Sequence, residues 1–360
     1  MIYRQHGKTG VELSIVGFGG MRFKNIDNRD ECVEMVVRAA ELGINYFDTA
    51  PKYFGIKSEL TYGEAFKILK KRGIKFYSST KTFESKEYKI RKELDAQLKR
   101  LNLDYIDFYH IWSVVTLKNW EKRKRDGVVE TFVKLKDEGL IKHIAVSSHL
   151  IGDEIKELLD EGIFEAVLIG YSAYNFSTRE KAFEAIKKHN IGCVVMNPLG
   201  GGIIPRHPEL FESIKTYKEQ SVVEAALHFL FAHEKITTAL VGFSTLKEVE
   251  EAVRAVESFK SVDRKKLETM KQSITGAFEG LCTGCHYCNN CPEGIPIPQF
   301  MEAYNHKILY GDDKKILDRL KWHWDVSKEL AAKCTECGRC EAVCTQHIPI
   351  IERLKEISEL

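Results

Sequence analysis

The sequence predicts an α/β chain: a (β/α)8 TIM barrel followed by a small, mainly helical domain. Three observations carry this. Eight short apolar runs, β-branched or aromatic, lie between residue 13 and about residue 257, each followed by an amphipathic stretch. Runs of that kind are what strands buried on both faces look like, and eight repeats of strand then helix match the barrel. At 360 residues the chain exceeds the roughly 250 usual for one such barrel, and eight of its ten cysteines follow residue 281. The domains are accordingly read as 1–275 for the barrel and 276–360 for the cysteine-rich tail.

In order, the strand-like runs are "LSIVGFGG", "NYFDTA", "KFYSSTK", "YIDFYHIW", "HIAVSSH", "AVLIGYSAYN", "GCVVMNPLGGG" and "TALVGFST". Between them lie helical patterns such as "REKAFEAIKKHN" and "DECVEMVVRAAELG", the second starting near Asp30 and stopping at Gly43. A doubly wound open sheet is the competing fold. It lacks its signature here: "GFGG" (17–20) is a weak turn, and no G-x-G-x-x-G follows the first run. Residues 258–280, around "VDRKKLETMKQSITGAF", read as a connecting helix.

Composition excludes some partners. A net charge of +2 gives no bulk electrostatic case for nucleic acid. No apolar run approaches a membrane span, and "MIYRQHGKTG" lacks the apolar centre of a signal peptide. The expectation is a cytoplasmic protein without membrane or nucleic-acid partners. Thiols stay reduced in that compartment, so clustered cysteines read as metal ligands before they read as disulfides.

Two cysteine sets stand in the tail. Cys334, Cys337, Cys340 and Cys344 form a C-x2-C-x2-C-x3-C run, the iron–sulfur spacing of bacterial ferredoxins. Cys282, Cys285, Cys288 and Cys291 form a close variant, and "CPEGIPI" (291–297) recurs as "CTQHIPI" (344–350). In this pattern three thiolates wrap one corner of a cubane and the fourth serves the other cluster. Cys344 would then join Cys282, Cys285 and Cys288, and Cys291 would join Cys334, Cys337 and Cys340. Eight soft thiolates fit two [4Fe-4S] clusters; two zinc sites or a disulfide set are the other readings. The tail resembles the helical two-cluster ferredoxin domain, with about 40 residues between its halves. It departs in having two residues before Cys291 instead of three, and Thr345 where a proline follows the last cysteine. The two remaining cysteines, Cys32 and Cys193, read as buried small hydrophobes.

In the barrel, Asp48 and Tyr53 lie just past the second run, and Lys81 ends the third. Side chains at strand C-termini converge on one mouth. There a lysinium favours the phenolate of a tyrosine, an aspartate holds the lysine, and the tyrosine protonates a carbonyl oxygen as hydride arrives at carbon. A surface lysine, a loop tyrosine and a capping aspartate are the bland alternative.

The segments "YRQHGKTGVELSIVGFGGMRF", "FDTAPKY", "SSTK", "IKHIAVSSH" and "VMNPLGGG" resemble the aldo/keto reductase family over about residues 1–260. The whole chain is similar to the branch of that family with a C-terminal dicluster ferredoxin domain. The resemblance implies a nicotinamide-binding barrel (NADP or NAD) acting on a small carbonyl or alcohol substrate. It carries three catalytic positions onto Asp48, Tyr53 and Lys81. The family's fourth, a histidine in D-x-Y-x-x-H, falls on Trp112 of "DFYHIW", with His110 two residues deeper on the same inward face. His110 is read as a core histidine or as a displaced catalytic one. The resemblance also implies nicotinamide contacts at Ser147 and Asn175, a pyrophosphate loop at Pro198, Leu199 and Gly200, and an anion site at Gly242 and Ser244. Glu248 stands where the adenosine phosphate often finds a polar or basic partner.

Hydride moves electrons in pairs and a cluster moves them singly, so a flavin is the expected mediator between them. A ferredoxin or flavoprotein electron carrier is the expected partner. The run "EKRKRDG" (121–127) reads as a solvated helix face, or as a dock for an acidic carrier. Besides the electron-coupled enzyme, two readings remain: an enzyme whose clusters only stabilise or dock the tail, and a nicotinamide-binding redox sensor with little turnover.

Overall fold

The computed structural model describes residues 1–260, 264–274 and 278–360; the domain boundary drawn at 275/276 lies outside them. Eight parallel strands close into a barrel. They are β3 (Val16–Gly19), β4 (Tyr46–Asp48), β5 (Tyr77–Thr82), β6 (Ile106–Val114), β7 (Ile141–Ser148), β8 (Ala166–Gly170), β9 (Gly192–Met196) and β10 (Thr238–Gly242), each on one of the eight runs. A short antiparallel hairpin, β1 (Tyr3–Gln5) with β2 (Glu12–Ser14), covers the N-terminal end. His6 follows β1 and packs its ring edge-on to Phe108 at 5.0 Å. The barrel interior is apolar at that end, with Leu13, Tyr46, Phe108, Leu168, Val194 and Leu240, and turns polar towards the other.

The helix Arg29–Glu41 illustrates how the outer layer forms. Asp30 and Glu31 sit in its first turn, favoured by the helix dipole. Val33, Val36, Val37 and Ala40 make one buried stripe at helical spacing. Gly43, at φ 98°, then turns the chain into β4. Cys32 and Cys193 are both buried, and burial pushes the Cys193 thiol up.

The run 121–127 departs from a solvated face. Arg123 is buried and donates to the carbonyls of Trp112 (2.7 Å) and Phe83 (2.9 Å), caught by strand ends that leave carbonyls unpaired. Lys122 and Lys124 pair with Asp126 and Glu161.

The tail has its own core, in which Ile297, Phe300 and Met301 of helix Ile297–Tyr310 meet Ile350, Leu354 and Ile357 of helix Ile350–Glu359. The internal repeat is also a backbone repeat. Gly284 and His286 in the first cysteine loop and Glu336 and Gly338 in the second all take left-handed φ, as do Gly294 and His347 after the fourth cysteines. Pro296 (φ −77°, ψ 70°) and Pro349 (φ −74°, ψ 77°) then start the two helices alike. The tail lies across the C-terminal mouth of the barrel. Buried Arg179 donates to Thr345 O (3.1 Å) and His149 O (3.2 Å), His347 Nε2 donates to His149 O (2.8 Å), and Arg22 reaches Thr283 O at 3.4 Å. A Cβ on Gly201 would stand 2.4 Å from Thr283 O, so the loop after β9 touches the tail backbone.

Candidate active site and cysteine rings

Asp48 ends β4 and Lys81 nears the end of β5, and both are 1% exposed. Lys81 Nζ lies 2.5 Å from each Asp48 carboxylate oxygen and 3.0 Å from Thr49 O, which occupies its three protons. Ser79 Oγ donates to the same carboxylate at 2.6 Å. Burial pulls the Lys81 pKa down and the Asp48 charge opposes it, with a net lowering.

The Tyr53 ring stands 5.6 Å from Lys81 Nζ and edge-on to Trp112 at 5.9 Å. The expectation that lysinium favours its phenolate is not met. Burial pushes the Tyr53 phenol well above 10, Tyr287 and Asp48 add to this, and only Arg22 among the named neighbours opposes it. The reason is local: Asp48 neutralises the lysine before its charge reaches the ring. Tyr53 is therefore held protonated.

Trp112 stacks on Phe83 at 3.9 Å. It sits at a register shift in β6 between Ile111 and Val114, where Ser113 takes a left-handed φ of 57°; such bulges re-aim neighbouring side chains. His110 pairs in register with Lys81 and is 1% exposed; among the described residues neither ring nitrogen makes a full hydrogen bond, although the Val146 backbone approaches the ring. Burial, then the Lys81 charge, lowers its pKa well below 6.5, so it is neutral.

A cavity of about 300 Å³ opens at the mouth. Asp48, Tyr53, Pro198, Leu199, Gly242 and Ser244 line it, as the sequence leads one to expect. Lys81, His110, Ser147, Asn175 and Gly200 are not on its wall, Lys81 lying behind Asp48. Asn175 accepts from Ser172 and reaches Gln346 of the tail at 3.5 Å, while Gly200 faces the Tyr174 ring. The wall also holds His149, Arg22 and Tyr287, which the sequence reading passed over, and Cys285 and Thr345, which it placed in the cysteine runs but not at the mouth. Burial, then Arg179, brings the His149 pKa to about 3, so its imidazole is neutral. The helix Leu246–Ser258 begins beside the cavity, and two of the backbone donors there are already taken. Ser244 N–H donates to Glu248 Oε2 at 2.7 Å, and Glu248 N–H donates to Thr245 Oγ1, a reciprocal cap.

The eight tail cysteines line two holes. Cys282, Cys285, Cys288 and Cys344 surround the first, with Met301 and Ile348. Cys291, Cys334, Cys337 and Cys340 surround the second, with Cys288 at the shared wall. The fourth cysteine of each run thus lies with the other run's triplet. Backbone N–H groups of Gly284 and Ile348 point at Cys282 Sγ (3.5 Å) and Cys344 Sγ (3.4 Å), and the Thr345 hydroxyl lies 3.5 Å from Cys285 Sγ. Burial pushes the Cys282 and Cys288 thiols up to about 12, an environment that only a bound metal's charge would reverse. Among the described residues, no three Cys, His, Asp or Glu side chains converge on a single ion.

Residues 15–274 match the model of the aldo/keto reductase family, and residues 280–348 that of the 4Fe-4S dicluster domain. L-galactose dehydrogenase of Arabidopsis thaliana is 30% identical over 72% of this chain and 89% of its own length. NADH-specific methylglyoxal reductase of Escherichia coli is 26% identical over 55% of this chain and 67% of its own. Among solved structures, the holo form of aldo-keto reductase AKR11C1 from Bacillus halodurans superposes with a TM-score of 0.66 at 27% identity, covering 76% of this chain and 96% of that one. The polar barrel mouth and the ringed cysteines are thus found in a chain that belongs to the aldo/keto reductase family of oxidoreductases and carries a 4Fe-4S dicluster domain after its barrel.

Proposed function

We propose that the protein is a nicotinamide-dependent reductase of small carbonyl compounds whose barrel is coupled to two [4Fe-4S] clusters. One observation carries this reading: Tyr53 and Cys285, a member of the first cysteine ring, line the same cavity. Cys282, Cys285, Cys288 and Cys344 would hold the cluster nearer the barrel, and Cys291, Cys334, Cys337 and Cys340 the other. The donor set fits. Zinc draws four thiolates onto one point, whereas a cubane holds them apart around its own atoms, and each ring here surrounds a hole.

A bound nicotinamide supplies hydride to the carbonyl carbon. As the C–H bond forms, the π electrons of the carbonyl move to oxygen. Tyr53 gives that oxygen its phenolic proton, and the phenolate recovers a proton from solvent, so the product is the alcohol. Arg22, the named neighbour whose charge favours the phenolate, stabilises it, while Lys81, neutralised by Asp48, fixes that carboxylate in place. At neutral pH Tyr53 stands in the protonated form that carbonyl reduction draws on. The carboxylate of Glu248 at the cavity wall would repel a 2′-phosphate, which favours NADH over NADPH. Methylglyoxal and, in the reverse direction, L-galactose are the first compounds to try, from the names of the relatives.

The test is anaerobic purification with iron, sulfide and flavin analysis. Flavin is included because a group taking electrons singly and in pairs joins hydride to cluster chemistry. Turnover of NADH with methylglyoxal is then measured alongside the cluster spectrum. Tyr53→Phe should lower kcat by roughly 10²–10⁴. Undiminished turnover in that variant, or no nicotinamide binding by the native chain, would sink the reading.

A further inference from the structure

We propose that Tyr287, carried on the first cysteine loop, completes the substrate-oxygen site in the barrel mouth, so that the barrel turns over only with that loop in place. The inference rests on the carbonyl-reductase reading above.

The barrel alone leaves a gap beside Tyr53. At the end of β6 it offers Trp112, an indole stacked on Phe83, and His110 lies deeper, level with Lys81 and away from the cavity wall. The tail fills the gap. Tyr287 lines the cavity with Asp48, Tyr53 and His149, and its ring meets His149 edge-on at 6.3 Å. The indole N–H of Trp112 approaches the Tyr287 oxygen. Among the described residues the Tyr287 hydroxyl donates no hydrogen bond, which leaves its O–H to point elsewhere. What lies open to it is the cavity. A carbonyl oxygen bound there would receive one hydrogen bond from Tyr53 and a second from Tyr287.

The loop that presents this hydroxyl is fixed at both ends. Cys285 and Cys288 flank His286 and Tyr287, and His286 is left-handed. Thr283 is held by Arg22 and packs on Gly201, while Thr345, in contact with Cys285, is held by Arg179. The second loop repeats the left-handed pattern and carries Arg339 at the corresponding place. Loop geometry therefore does not demand a tyrosine at 287. The residue stands between the second cysteine hole and the mouth, and lines both.

The experiment uses the anaerobic, cluster-loaded full chain and its Tyr287→Phe variant, which keeps the ring and removes only the hydroxyl. NADH and methylglyoxal are the probes. Measured are kcat, KM, the NADH dissociation constant by fluorescence, and the cluster absorbance and EPR spectra. Loss of one preorganised donor lowers kcat by about 10²–10³. NADH affinity and both spectra should stay as in the native chain, whereas a structural role would move them. A second arm strips iron from the native chain with a chelator. NADH binding should persist, turnover should fall, and iron with sulfide should restore it. Native kcat in Tyr287→Phe, or full turnover after iron removal, overturns the inference while leaving the reductase reading intact. No turnover by the native chain with methylglyoxal or the other small carbonyls overturns that reading, and this inference falls with it.

Discussion

Replacing Lys81 with methionine tests the centre of the site most directly. The substitution keeps the stem's length and removes the charge. It leaves the Asp48 carboxylate buried, with Ser79 as its remaining side-chain donor. Removing one partner from a buried ion pair costs about 3–5 kcal/mol, because the other charge stays desolvated and unpaired. For a domain of this size the melting temperature should fall by roughly 6–20 °C. The companion is Asp48→Asn/Lys81→Met, in which neither charge remains and Ser79 still finds an acceptor. It should recover most of the loss. The assay is thermal unfolding by circular dichroism at one scan rate, with cluster absorbance followed separately so that the barrel transition is read alone. A fall below about 3 °C in the single variant, or a double variant no better than the single, would refute the reasoning. In the first case the charge pair would not be holding the mouth; in the second, the lysine stem's packing would be.

Three further outcomes are expected. Thr345→Val removes the hydroxyl 3.5 Å from Cys285 Sγ. Hydrogen bonds to the sulfurs raise a cluster's potential, so redox titration followed by EPR should find one potential more negative and the other unmoved, and two unmoved potentials would dismiss the contact. Glu248→Gln should improve the NADPH-to-NADH affinity ratio by about tenfold or more, and an unchanged ratio would remove Glu248 as the discriminator. His6 is buried with neither ring nitrogen paired among the described residues, and burial, then His143, lowers its pKa to about 3. The unfolded chain takes up that proton near 6.5 and the folded one does not until about 3, so stability is lost as pH falls through this window, by about 2 kcal/mol at pH 5. The gap between the urea midpoints at pH 7 and pH 5 should therefore narrow in His6→Leu, with His110 and His149 still contributing to it, and an unchanged gap would refute the assignment.

The barrel was legible because its evidence is local. Each of the eight runs contains a strand, since β-branched residues flanked by turns mark buried strands wherever they occur. The cysteine triplets were legible for the same reason, and the repeated IPI segments do start equivalent helices. The mouth was not, because its residues meet across the whole chain. Tyr287 stands more than two hundred residues from Tyr53, and no periodicity links them. Its signal was comparative: a large aromatic in one cysteine loop where the other has Arg339. The Glu248 cap could have been read, since Thr245 and Glu248 form the T-x-x-E pattern of a capping box. Arg123 could not. A cation in a basic run looks solvated until the carbonyls that capture it are known.

The seat of the tail bears on what the clusters do. A domain that only stabilised the chain could pack on any apolar face of the helical layer, and the two halves would then share an oily seam. This tail has a core of its own and shares only a small apolar seam with the barrel, at Phe278, Leu281 and Leu309, while its polar ties run to barrel loops and residues at the strand C-termini: Arg22, His149, Asn175, Arg179 and Arg206. Such contacts stabilise little per unit area, and they restrict the opening through which substrate must pass. That cost makes sense where the tail acts at the mouth. The two rings are also unequal. The first adjoins the cavity through Cys285, whereas the second has Cys337 exposed and Val343 beside it 38% exposed. With the rings sharing a wall at Cys288, the second faces solvent and the first faces the barrel cavity. A merely structural pair of clusters would need neither the asymmetry nor the shared wall.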